Sequence, residues 1–208
     1  TTPHGLSVIP RLVFQKSLSH THGWRCGFMN DGTWMTGFLD GTSSFGNATS
    51  TSELASMDAT HLTFGGNSNG YNNANATFIG YFFGNVPGVQ RVGVYKGNNA
   101  ASDNAFVYTG FRPALVMVRL LGGGGEWMMW DNKIDPYNDN TTFLSASSDG
   151  TETTRAHGTT NDNTIDFVSN GFKHRSNHPD AANAADYLYM AFADNLYGSS
   201  FVDNIRAK

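Results

Sequence analysis

The fold class can be predicted from residues Gly110–Asp131, GFRPALVMVRLLGGGGEWMMWD. Two apolar runs, Ala114–Val118 and Trp127–Trp130, are separated by four consecutive glycines at 122–125. Pro113 has a fixed φ and no N–H to donate to a ladder, so it suits the first residue of a strand. The branched and long apolar residues after it favour a strand buried on both faces. The glycines can adopt the positive φ angles of a chain reversal, so the stretch predicts a hairpin in the core of an all-β domain.

The same pattern occurs earlier in the chain. Residues Ile9–Lys16 match Arg112–Arg119 position by position, and in both copies a tryptophan lies fourteen residues after the proline. Residues Phe78–Asn85 likewise parallel Tyr187–Asp194. Shared landmarks in the same order, about a hundred residues apart, indicate an internal duplication.

We therefore predict two β halves, residues 1–97 and 98–208, that pack as one compact unit. Only 14% of the residues are charged, and glycine is abundant. Such a composition favours turns and strands over long helices. Asn30-Asp31-Gly32 accepts the φ angles of a primed turn and predicts a tight hairpin. Short apolar runs between turn clusters are typical of a β-sandwich, which we expect to be jelly-roll-like or lectin-like.

Composition and charge exclude several function classes. The net charge of −4, without a basic run, provides no electrostatic footprint for nucleic acid. No apolar segment approaches the roughly 20 residues that span a bilayer, so we expect no membrane insertion. Cys26 is the single cysteine, which excludes an internal disulfide and favours a small buried thiol over a nucleophile. The chain opens at Thr1 without an initiator methionine, and we expect a fragment or a processed product.

Two groups of residues have the chemistry of metal ligands. His20 and His22 lie two positions apart, as a metal pair requires, but no third ligand is near them in the sequence. Asp131, Asp135 and Asp139 lack the regular spacing and the bidentate glutamate of an EF-hand loop. We predict turns at these positions, with no metal site and no cofactor.

A pair of acids could indicate glycoside hydrolysis. Glu126 and Asp131 flank Trp127 and Trp130, and glycosidases hold two carboxyl groups about 5 to 10 Å apart. The sequence does not supply this distance. A structural role is favoured for both acids, so we predict no catalytic residue.

Candidate ligand contacts come from aromatic residues near predicted turns and from one polar segment. Aromatic rings at turns can stack on sugars, although most rings in such a chain belong to the core. The segment HRSNHPD, His174–Asp180, combines two histidines, an arginine and an acid. Its structural alternative is an exposed connector. The candidate binding residues are Trp34, Tyr71, Tyr137, His174, Arg175 and His178.

Four blocks of the sequence resemble a domain of tailed-bacteriophage virion proteins, found mainly in tail fibre and tail proteins of marine and other environmental phages. The blocks are His4–Val13, Phe106–Met117, Ser169–Lys173 and Tyr187–Ala193. The resemblance covers nearly the whole chain, and the second and fourth blocks are its most specific parts. It implies a location in the virion, and it brings no established catalytic residues.

Three hypotheses about function follow. The leading one is a non-enzymatic structural module of a tail fibre or appendage whose loops recognise a host-surface glycan. The second is a capsid decoration or head-fibre protein held by protein–protein contacts, which an exposed apolar patch would favour. The third is a polysaccharide-degrading enzyme of the tailspike type. Under the leading hypothesis we expect other virion proteins as partners and a homo-oligomer, with a trimer favoured because fibres are usually trimeric.

Overall fold

The computed structural model describes residues 2–48, 54–66, 71–154 and 164–194. These residues form β-strands, turns and loops, with no helix among them. They fall into two compact units. The first unit comprises the described residues up to Asn85 together with Leu121–Glu126 and Ala146–Ser148. The second comprises the described residues of 86–120, 127–145 and 149–194.

The first unit contains two antiparallel sheets. Its strands are β1 (Thr2–Pro3), β2 (Leu12–Ser17), β3 (Arg25–Asn30), β4 (Thr33–Phe38), β5 (Gly46–Asn47), β6 (Leu54–Met57), β7 (His61–Phe64) and β8 (Phe78–Phe83). The larger sheet has the order β5-β4-β3-β2-β8, and the smaller has the order β1-β7-β6. Trp34 of the larger sheet packs with Leu54 and Leu62 of the smaller one in a buried cluster.

The second unit is built in the same way. Its strands are β9 (Gln90–Lys96), β10 (Phe106–Tyr108), β11 (Pro113–Leu120), β12 (Trp127–Asp131), β13 (Thr142–Ser145), β14 (Thr153–Thr154), β15 (Ile165–Val168), β16 (Gly171–His174) and β17 (Asp186–Ala193). The sheet orders are β14-β13-β12-β11-β17-β9 and β10-β16-β15. Val116 and Trp130 of the larger sheet share one core cluster with Ile165 and Phe172 of the smaller. Each such large apolar side chain stabilises the fold by roughly 1.5 to 3 kcal/mol.

The predicted all-β class and the β-sandwich are therefore confirmed, while the jelly-roll or lectin-like subtype stays a prediction. The predicted core hairpin is β11–β12, which begins at Pro113 and pairs Leu115 with Asp131 and Arg119 with Trp127. The predicted tight turn joins β3 to β4, where Asp31 has φ 44° and Gly32 has φ 83°.

The internal duplication is visible in the strand registers. β2 pairs with β8 so that Leu12 faces Phe83 and Lys16 faces Ile79. At the sequence-equivalent positions, β11 pairs with β17 so that Leu115 faces Phe192 and Arg119 faces Leu188. The remaining strands correspond in the same order, β3–β5 to β12–β14 and β1-β7-β6 to β10-β16-β15. Only β9 has no counterpart among the described strands of the first unit.

The two units differ in extent from the predicted halves, 1–97 and 98–208. Residues 86–97 group with the second unit, because β9 pairs with β17 along its whole length. Leu121–Glu126 groups with the first unit, where the backbone N–H of Phe45 donates to the carbonyl of Leu121 at 3.1 Å. The segment Phe201–Ile205, whose sequence FVDNI favours an additional edge strand, lies outside the described residues. Within the described ranges, no helix is long and apolar enough to cross a bilayer.

Candidate functional site

A polar pocket with a volume of about 330 Å³ lies on the second unit. It is lined by Ser102, Asn138, Asp139, Asp166 and Arg175. Ser102 comes from the loop after β9, and Asn138 and Asp139 come from the loop between β12 and β13. Asp166 lies in β15, and Arg175 directly follows β16. The volume is at the lower end of the range for small-molecule sites. The pocket therefore has the size for a single small polar ligand or one ring of a longer one.

An ion pair forms one wall of the pocket. Nε and Nη2 of Arg175 each lie 2.5 Å from Oδ2 of Asp166. The Asp166 side chain is 9% exposed and that of Arg175 is 37% exposed, so the pair is anchored inside and open on its guanidinium side. The backbone N–H of Arg175 also donates to the carbonyl of Thr164 at 2.9 Å. Charge-assisted bonds of this kind fix the direction of both side chains.

A second wall is a loop fastened to β15 through two asparagines. The amide of Asn138 donates to the carbonyl of Phe167 at 3.0 Å and accepts from its N–H at 2.9 Å. Asn140 exchanges two backbone hydrogen bonds with Ile165, of 2.8 and 3.1 Å. These four bonds satisfy edge groups of β15 and hold the neighbouring Asp139 in place at the pocket.

The loop that carries Ser102 is also fastened. Oδ1 of Asn104 accepts from the N–H of Asn98 at 3.1 Å and from that of Ala105 at 2.7 Å. Asp103, the residue after Ser102, forms an ion pair with Lys173. The hydrogen bond from Lys173 and its positive charge hold the pKa of the Asp103 carboxyl below the ordinary value. Charges of both signs therefore lie close to Ser102.

Of the three candidates in the HRSNHPD segment, only Arg175 lines the pocket. His174 is fully buried in the core of the unit, where its ring stacks on Tyr95 with centroids 5.3 Å apart. His178 shapes the following turn, since its Nδ1 accepts from the N–H of Asp180 at 3.2 Å and its carbonyl accepts from Ala182. The expectation that this whole segment is an exposed connector is wrong for His174, because that residue ends β16 and points into the core.

The buried pair of Tyr95 and His174 has a defined protonation. The Tyr95 hydroxyl lies 2.5 Å from the carbonyl of Ala181 and 2.8 Å from Nε2 of His174. Because a carbonyl can only accept, the tyrosine proton goes to Ala181 and Nε2–H of the histidine donates to the tyrosine oxygen. Burial, with a smaller effect from His178, lowers the pKa of His174 to about 3. Burial also raises the pKa of Tyr95 well above its ordinary value.

The aromatic candidates are divided between the core and the surface. Trp34 is 8% exposed and Tyr71 is 3% exposed, so neither presents an open ring face on which a sugar could stack. The interpretation of these two as surface binding residues does not fit their burial. Tyr137 is 81% exposed and directly precedes Asn138 of the pocket wall.

The other candidate groups occupy structural positions. Oδ1 of Asp131 accepts from the N–H of Lys133 at 2.6 Å, and Oδ2 of Asp135 accepts from that of Thr141 at 2.8 Å, as expected of turn residues. Glu126 belongs to the first compact unit and Asp131 to the second. No cluster of three potential metal-ligating side chains occurs among the described residues.

The predicted buried thiol is confirmed, because Cys26 is fully buried. The rings of His20 and His22 stack with centroids 6.3 Å apart.

Sequence reasoning missed Ser102, Asn138, Asp139 and Asp166 as pocket residues. Asp166 did carry a signal, since an acid within the apolar strand Ile165–Val168 is unusual unless it has a partner. The others are typical turn residues whose grouping depends on the tertiary fold.

Over residues 1–195 the chain matches the model of a family described as a domain of unknown function, DUF7483. The match spans most of the chain, which therefore belongs to this family. No curated protein and no solved structure matches the chain.

Proposed function

We propose that this chain is a non-enzymatic structural module of a bacteriophage particle, in a tail fibre or a similar appendage, and that its second unit binds a host-surface glycan in the polar pocket. The placement in a virion is supported by the resemblance of four sequence blocks to phage tail proteins. The placement of the glycan is supported by the composition and rigidity of the pocket.

The polar pocket beside an exposed tyrosine carries the proposal. Sugar hydroxyls both donate and accept hydrogen bonds, so they are matched by a mixed set of carboxylate, amide, hydroxyl and guanidinium groups. Asp139, Asn138, Ser102 and Arg175 supply one group of each kind. The ring of Tyr137, next to Asn138 in the chain, is open to solvent and can cover the apolar face of a sugar.

The ion pair in the pocket favours binding over hydrolysis. Glycoside hydrolysis uses one carboxyl group that carries a proton and a second that acts as a base or nucleophile. Oδ2 of Asp166 is already engaged by two nitrogen atoms of Arg175. A carboxylate held in this way is suited to orienting a ligand and not to transferring a proton.

The proposal is tested on a glycan array of bacterial surface polysaccharides with the full chain. We expect binding without cleavage, and we expect Tyr137→Ala to weaken it about tenfold, which corresponds to about 1.4 kcal/mol. Tyr108→Ala is the matched control, because Tyr108 is a 56% exposed tyrosine of the same unit whose backbone pairs with Gly171 at the far end of β16 from Arg175. Absence of glycan binding, or equal weakening by both variants, would contradict the proposal.

The capsid decoration alternative is favoured by one observation, the exposed apolar residues of β8. Ile79 is 37% exposed and Tyr81 is 48% exposed, so this strand offers an apolar surface to another protein. Light scattering after size-exclusion chromatography bears on the assembly. We expect a trimer, at about three times the 22.5 kDa mass of the chain. A monomer that binds no glycan would favour the decoration role.

A further inference from the structure

The outer edge of β8 has no partner strand in the described part of the chain. β8 ends the order β5-β4-β3-β2-β8 and pairs with β2 alone. Its sequence, FIGYFF, contains no charged residue and no proline. Natural edge strands are usually short, charged, bulged or covered, because an open apolar edge readily pairs with another strand. β8 has none of the first three forms of protection.

The second unit shows how the equivalent edge is covered. β17, the counterpart of β8, lies between β11 and β9. The shared registers make Ile79 and Tyr81 equivalent to Leu188 and Met190. Leu188 and Met190 are 0% and 3% exposed, whereas Ile79 and Tyr81 are 37% and 48% exposed. The two positions that are buried in the covered strand are thus open in the uncovered one.

The backbone of β8 is also oriented to accept a strand. The N–H of Leu18 donates to the carbonyl of Thr77 at 2.8 Å, so Thr77 faces β2. Backbone groups alternate in direction along an antiparallel strand, so those of Phe78, Gly80 and Phe82 face the open edge. In the second unit the N–H of Ala193 donates to the carbonyl of Val89 at 2.8 Å, and the same alternation directs the outer groups of β17 to β9.

We propose that the outer edge of β8 binds an extended segment of a different protein as an added antiparallel strand. The pattern of β9 defines the occupant, because in the second unit Val92 lies opposite Met190 and Val94 lies opposite Leu188. The occupant therefore carries β-branched or other apolar side chains opposite Tyr81 and Ile79, with main-chain hydrogen bonds providing the register. This inference concerns the first unit and does not depend on glycan binding by the second.

The test uses the full chain and a fluorescent peptide of residues 88–98, which contains β9. Fluorescence polarisation is expected to show saturable binding. In the second unit, Gly93 lies opposite Tyr189 in a pair whose backbone groups face each other. N-methylation of the peptide at the position of Gly93 therefore removes a hydrogen-bond donor of the ladder. This change is expected to weaken binding at least tenfold. N-methylation at the position of Val94, whose N–H faces away, is the matched control and is expected to leave affinity within twofold.

A change in the protein locates the site. Tyr81→Lys places a charge on the exposed edge and is expected to weaken peptide binding at least tenfold, whereas Tyr108→Lys in the second unit leaves it unchanged. The proposal is overturned if the peptide does not bind, or if both methylated peptides bind equally. It is also overturned if the protein instead forms dimers that Tyr81→Lys dissociates, since a second copy would then occupy the edge.

Discussion

Acidification is expected to destabilise the second unit through His174. This histidine is neutral in the folded protein, because its pKa is lowered to about 3 by burial and by His178. Protonation would also create an Nδ1–H that has no hydrogen-bond partner among the described residues. In the unfolded chain the same ring titrates near its ordinary pKa of about 6.5. The unfolded state therefore binds a proton over a pH range in which the folded state does not.

The sign and the magnitude of the effect follow from this difference. The contribution of neutral His174 to stability is fully present above pH 6.5. It is lost as the pH falls toward 3, because over this range only the unfolded state gains the proton. Two pH units below 6.5, the loss from this one group is about 3 kcal/mol. Such a loss is a large fraction of the 5 to 15 kcal/mol that is typical of a folded domain.

The assay is urea unfolding at pH 7 and at pH 4.5 for the wild type and for His174→Phe. Phenylalanine suits the site, because β7 carries Phe64 at the position equivalent to His174. At pH 7 the free energy of unfolding of the variant is expected to be about 1 kcal/mol lower than that of the wild type, because the hydrogen bond to Tyr95 is lost. Between pH 7 and pH 4.5 the variant is expected to lose less stability than the wild type. His20→Gln, a change of an exposed histidine, should retain the wild-type pH dependence. The reasoning is refuted if the wild type and His174→Phe lose the same stability between the two pH values.

Two further predictions concern packing in the second unit. Gly171→Ala is expected to cost more than about 2 kcal/mol, because the added Cβ would lie 2.1 Å from the carbonyl oxygen of Val107. Gly122→Ala is a control in the first unit, where no atom beyond the neighbouring residues would lie within 4 Å of the added Cβ. It should change stability by less than about 0.5 kcal/mol in the same urea titration. Trp130→Ala is expected to cost about 3 to 5 kcal/mol, since the ring is fully buried, whereas Ile134, 40% exposed, should tolerate alanine. Thermal unfolding compares Trp130→Ala with Ile134→Ala, and similar melting temperatures for the two variants would contradict the assigned core.

The elements that could be predicted from the sequence are those whose signals are local. Pro113 begins β11 because its missing N–H is tolerated at a strand start. Asp31 and Gly32 adopt positive φ angles because the two-residue connection requires them. The duplication was recognisable because both copies retain the same markers around Pro10 and Pro113.

The partners of strands were less predictable. In the segment Arg91–Lys96, the alternation of Val92 and Val94 with other residues favours a strand, and the segment lies in β9. Its partner β17, however, lies about ninety residues later in the chain. Alternation of side chains shows which faces a strand presents and does not select its neighbour. The pocket was missed for a related reason. Asp166 and Arg175 meet because the β15–β16 hairpin places Ile165 opposite His174, a register that composition does not specify.

The burial of His174 becomes understandable when the two copies are compared. β7 and β16 are both four residues long, and their hairpins share a register, since Ser56 lies opposite Thr63 and Asp166 lies opposite Lys173. Phe64 thus occupies the position of His174, and an aromatic ring is the feature common to both. The polar difference follows from β9, because Tyr95, the hydrogen-bond partner of His174, belongs to that strand. Among the described strands of the first unit none corresponds to β9, and Phe64 packs there against the ring of Tyr71 with centroids 6.0 Å apart.

The same comparison places the two proposed interactions on different copies. In the first unit, Ser56 and Gly65 stand at the positions of Asp166 and Arg175, so the ion pair that forms the pocket wall cannot form there. In the second unit, β9 already pairs with the edge that β8 leaves open. The charged groups proposed to bind a polar ligand therefore belong to the second copy, and the β8 edge, which has no partner strand among the described residues, belongs to the first. The two proposals can therefore be tested separately, because neither site uses residues that the other requires.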